Sequence, residues 1–182
     1  MPLISCEPAV KRLPQAAALA LDMLLAPLLL CAVLWVRRRQ ALILHHGAPL
    51  TREQMQLAHA LGVTATARVR VMRVSRVPLP LPPWLLQWAC VMAQRTRWFS
   101  LPWSHTAGMT LGHGIVLRED CAGDRRLLAH ELVHVSQYER LGGIARFLRQ
   151  YLRECVWPGY PHGALEREAR VAEAQVSRQG QM

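Results

Sequence analysis

Residues 127–142 read LLAHELVHVSQYERLG. Leu127, Leu128, Leu132, Val133 and Val135 make the run apolar, the pattern of a helix bound for a core. The same run carries His130, Glu131 and His134. Buried without partners, these groups are costly. Residues four apart on a helix share a face, so His130 and His134 can converge on one cation, and ligation removes the cost. Glu131 is turned about 100° from His130. It stands outside that ligand set yet within reach of a water on the metal.

Two imidazole ligands with one carboxylate base form the H-E-x-x-H pattern of zinc hydrolases. Asp124, just before the run, can cap the helix. A catalytic site needs a third protein ligand, with the fourth position left to water. Downstream, GGIARFLRQYLREC (142–155) repeats apolar residues at helical spacing, WPGYPHG (157–163) turns, and ALEREARVAEAQ (164–175) forms a second helix. Glu166, Glu168 and His162 are the candidates there.

The chain opens differently. Leu13 to Val36 holds nine leucines and one charge, Asp22, and Arg37, Arg38 and Arg39 follow at once. That length suits a single membrane span of about 20 residues, with Trp35 at an interface. A hairpin or interfacial helix buried against the rest of the protein, and a cleaved signal, are the alternatives. The expected organisation is a membrane-anchor helix over 1–40 and a catalytic domain over 41–182. Basic residues after the span favour a cytoplasmic domain, and five scattered cysteines without a CxxC pair fit idle thiols in a reducing compartment. The net charge of +10 calls for an anionic partner. With 6% aromatics and no basic–aromatic interleaving, membrane lipid is favoured over nucleic acid, though the charge alone also raises a DNA-associated protease.

Between these ends, residues 50–63 predict a short helix capped by Thr51 and Gln54 and stopped at Gly62, with His59 as an ordinary surface or core residue. Residues 67–80 alternate valine and arginine, predicting a strand with one basic face and an irregularity near Met72–Arg73. Residues 78–103, proline-rich and then apolar, predict a packed or interfacial segment. AGMTLGHGIVLRED (107–120) predicts one glycine-flanked strand, with His113 incidental.

HELVH followed by LEREA resembles the gluzincin metallopeptidases. The likeness is to the branch holding the prenyl-protein endopeptidases and bacterial heat-shock membrane proteases. AHELVHVSQ, with Gln137, is also similar to the HExxH domain found with extracellular contractile injection systems. The resemblance covers roughly residues 109–175. It implies an α+β, zincin-like fold: a small mixed or antiparallel sheet packed on the HExxH helix and a C-terminal glutamate helix, behind the N-terminal hydrophobic helix. It implies Zn2+ held by His130, His134 and Glu166, with Glu131 as general base. The third ligand follows from matching EREAR to the family's E-x-x-A-D, which also makes Ala169 the small packing position.

Arg170 stands where that pattern has an aspartate that orients a histidine ligand, a task left to Glu173 or a backbone carbonyl. The resemblance further implies that a strand near 109–117 pairs with extended peptide, and that Tyr138, Tyr160, His113 or His162 steadies the oxyanion. The expected function is a membrane-associated zinc endopeptidase of inner-membrane type acting on peptide or protein. The alternative, prompted by Arg170, is a metallopeptidase-like binding or scaffold module without turnover.

Overall fold

A computed structural model describes residues 15–78, 107–156 and 162–179. Among these residues five α-helices surround a four-stranded sheet: α1 (Gln15–His46), β1 (Ala48–Pro49), α2 (Arg52–Ala60), β2 (Arg70–Val74), β3 (Gly108–Leu111), β4 (Gly114–Arg118), α3 (Arg125–Arg140), α4 (Ile144–Glu154) and α5 (Ala164–Gln179). The fold is mixed α+β, as expected.

The sheet order is β1-β2-β4-β3. β2 runs parallel to β4 over five residues, from Arg70 opposite Gly114 to Val74 opposite Arg118. β1 and β3 flank that pair antiparallel, on β2 and β4 respectively. The irregularity expected near Met72–Arg73 does not occur, because both residues sit in register with Val116 and Leu117. The single strand expected over 107–120 is instead a hairpin. Gly112, at φ +67°, takes the left-handed conformation that a tight hairpin turn demands.

β4 explains why Ile115, Val116 and Leu117 form an unbroken apolar run. Ile115 and Leu117 pack with Leu128, Leu132 and Val135 of α3 and Ala58 of α2. Val116 points the other way, against Val36 and Ile43 of α1. The central strand is thus covered on both faces, and each such side chain contributes about 1.5–3 kcal/mol on full burial. α2 starts as predicted, with Thr51 and Gln54 exchanging capping bonds at 3.0 and 3.3 Å.

The apolar N-terminal stretch does form a helix, but α1 runs on through the three arginines to His46. Its Val33, Val36 and Ile43 are buried in the protein. Among the described residues, no helix is long and apolar enough to cross a membrane. Cys31, Cys121 and Cys155 are free thiols. The expectations for 79–103 and for 157–161 lie outside the described residues.

Candidate metal centre

α3 starts at Asp124, whose Oδ1 accepts from the backbone N–H of Arg126 at 2.8 Å and of Leu127 at 3.4 Å. From that cap the helix brings His130 and His134 onto one face, their Nε2 atoms 3.2 Å apart. α5 packs on the same helix through Ala169 and Ala172 against Val133. The small side chain expected at Ala169 is what lets α5 approach, and the approach delivers Glu166. Its Oε2 lies 3.6 Å from His130 Nε2 and its Oε1 3.7 Å from His134 Nε2.

These three residues form a group that could hold a metal ion. Two observations test the fit. One ligand atom from each of the three lies within 4.8 Å of the others, close enough for a single ion to meet all three. Glu166 is buried, and its Oε2 has no hydrogen-bond partner among the described residues. Such an orphaned carboxylate oxygen is costly unless a cation meets it. The donor set fits.

The ligands are held from behind. Gln137 Oε1 lies 2.8 Å from His134 Nδ1. An amide oxygen only accepts, so Nδ1 carries the proton and Nε2 turns its lone pair to the centre. The Gln137 amide nitrogen donates to Leu165 O at 3.0 Å and to Glu168 Oε2 at 2.9 Å. His130 Nδ1 faces Glu173 Oε2 at 3.5 Å. Tyr151 of α4 donates to Glu166 Oε1 at 3.0 Å. Burial, followed by the neighbouring His134, pulls the His130 pKa down to about 4. Its imidazole is therefore neutral and free to ligate at neutral pH.

Glu131 lies outside the ligand group, as its rotation on the helix predicts. Its Oε2 accepts from Thr110 Oγ1 of β3 at 2.6 Å. Its carboxylate presses on Gly108, where an added Cβ would come within 2.7 Å of Oε1. Burial pushes its pKa up, the direction that makes a carboxylate a better proton acceptor.

The remaining candidates separate cleanly. Glu168 is engaged by Arg140, both guanidinium contacts at 2.8 Å, and is not in the metal group. His162 is exposed. His113 pairs with Glu139 at 2.9 Å. Tyr138 stacks on Phe147 and turns its hydroxyl toward Thr110 O at 3.4 Å. Tyr160 lies outside the described residues. Tyr151, like Thr110, is a site residue that sequence reasoning missed. Its only sequence signal is its place four residues after Phe147 on an amphipathic helix.

No curated protein and no solved structure matches this chain. Residues 103–142, which take in β3, β4 and both α3 histidines, are similar to the family model described as eCIS core domain.

Proposed function

We propose that the chain is a zinc-dependent endopeptidase, with His130, His134 and Glu166 as the metal ligands and Glu131 as general base. The observation that carries this reading is the convergence of the three ligand atoms on one point, with Glu166 Oε2 otherwise unpartnered. Zinc in such a site polarises a carbonyl and acidifies water.

The chain's own groups supply the rest. β3 has a sheet neighbour on one side only among the described strands, and its other edge can pair with an extended peptide. Glu131 faces that strand through Thr110. Its carboxylate takes the proton from the attacking water and delivers it to the leaving amine. Gln137 holds the His134 imidazole in the ligating tautomer, and Glu173 stands beside His130 Nδ1.

The test is metal analysis of the purified chain together with Glu131→Gln assayed on a broad peptide library. One zinc per chain, peptide cleavage by the parent and loss of cleavage with metal retained in the variant are expected. A variant that cleaves as fast as the parent overturns the role of Glu131. One zinc with no cleavage by the parent selects the scaffold reading, for which the bond restraining Glu131 at Thr110 is the favouring observation.

A further inference from the structure

The metal centre uses α3, α4 and α5 and leaves the outer face of α1 without a role. That face is ordered by spacing. Met23, Pro27, Leu30 and Leu34 recur at intervals of four, three and four residues, so they form one stripe along the helix. The stripe is exposed: Met23 by 80%, Leu30 by 62% and Leu34 by 50%. It lies opposite Val33, Val36 and Ile43, which anchor α1 in the protein. At its C-terminal end Arg37 and Arg38 flank the stripe on either side, and Arg39 turns away over the Trp35 ring at 5.8 Å; all three are exposed.

We propose that this face docks the protein on the surface of an anionic lipid bilayer, with the leucine stripe among the acyl chains and the arginines on headgroup phosphates. Three observations favour this occupant. From Met23 to Leu34 the stripe covers about 17 Å at 1.5 Å per residue. A hydrocarbon core is about 30 Å thick, so the stripe suits a helix lying in the interface, not one crossing it. The apolar part and the cationic part are adjacent on one helix, matching the layering of acyl chain and phosphate. The charge also opposes a second copy of the chain. A parallel pair would bring two arginine triplets together, and an antiparallel pair would set each triplet against the apolar end of its mate. The net charge of +10 adds to both penalties.

The test is co-sedimentation of the full chain with vesicles of equal phosphatidylcholine and phosphatidylserine, and with vesicles of phosphatidylcholine alone. Binding is expected to the first, weaker by roughly tenfold to the second, and weaker again as salt is raised. The double variant Leu30→Glu and Leu34→Glu, exposed on both counts, should keep the circular dichroism of the parent and lose roughly tenfold or more in binding. Replacing Arg37 and Arg38, which flank the stripe, by glutamine should weaken binding about fivefold per charge. His134→Ala should sediment like the parent, which separates this surface from the metal reading. The proposal is overturned if the parent ignores anionic vesicles, or if it binds both vesicle types equally. It is also overturned if the leucine variant sediments unchanged. A parent that is a stable dimer in solution and becomes monomeric with Leu34→Glu assigns the face to a second copy and overturns it as well.

Discussion

Gln137 Oε1 sits 2.8 Å from His134 Nδ1, while the nitrogen of the same amide spans to Leu165 O and Glu168 on α5. One fully buried side chain therefore fixes the tautomer of one candidate ligand and the docking of the helix that carries another, Glu166. Gln137→Met, similar in volume but without the amide, should lower zinc affinity by about 10- to 100-fold. Gln137→Glu keeps the acceptor for His134 but loses the donors to α5, so it should cost about 1–3 kcal/mol of stability with a smaller loss of affinity. Chelator competition and thermal unfolding distinguish the two. Equal zinc affinity for the parent and Gln137→Met would remove Gln137 from the positioning of His134.

Gly108 lies in β3 against the carboxylate of Glu131. Gly108→Ala brings its Cβ to within 2.7 Å of Oε1, so the carboxylate must move. Overpacking of this kind costs about 1–3 kcal/mol. On the proposed role of Glu131 as general base, its displacement should slow hydrolysis by about 100-fold, with metal content unchanged because His130, His134 and Glu166 lie elsewhere. Gly123→Ala is the control, since nothing lies within 4 Å of the added carbon. If Gly108→Ala hydrolyses peptide at the parent rate, Glu131 is not held in place by this strand.

Much of this centre was legible in HELVH itself. Helical geometry alone puts His130 and His134 together and Glu131 apart, because a 3.6-residue turn leaves no other arrangement. Glu166 was one of three candidates on spacing and was selected by resemblance; the packing of α5 through Ala169 and Ala172 explains its arrival at the centre. Gln137, Glu173 and Tyr151 acquire their partners only when α3, α4 and α5 dock, and no local pattern encodes those contacts. The hairpin reads as one strand in the sequence because its apolar runs are separated only by the two-residue turn Gly112–His113, with Gly112 left-handed.

Glu139 accepts from Thr64 N at 2.7 Å, Thr64 Oγ1 at 2.7 Å and Ala65 N at 3.1 Å, and pairs with His113 at 2.9 Å. Burial works to raise its pKa, but the bonds from Thr64, His113 and Ala65 outweigh it, and the folded value lies below the ordinary 4.5. A carboxylate depressed in the folded state stabilises above its unfolded pKa, and the contribution fades as pH falls through the folded value. Glu139→Gln should therefore lower Tm at neutral pH. The gap between variant and parent should narrow as pH drops below 4.5. A gap that stays constant from neutral to acid pH would show that the charge of Glu139 is not what secures the 64–65 loop.

Zinc bound at His130, His134 and Glu166 would join α3 to α5, and the unfolded chain has no equivalent site, so binding is linked to folding. At free zinc a hundredfold above Kd the folded state gains about 2.7 kcal/mol. For a chain of this size that corresponds to a Tm rise of about 5–10 °C. A chelator should reverse the rise in the parent. His134→Ala, which loses one imidazole and the acceptor partnership with Gln137, should unfold at the same temperature with zinc or with chelator. Glu166→Gln should respond weakly, since a neutral amide leaves the centre without its one anionic ligand. Thermal unfolding of the three proteins, each with zinc and with chelator, reads this directly. A parent whose Tm does not move with zinc, or a His134→Ala variant that shifts as far as the parent, would mean that these side chains do not clasp the ion.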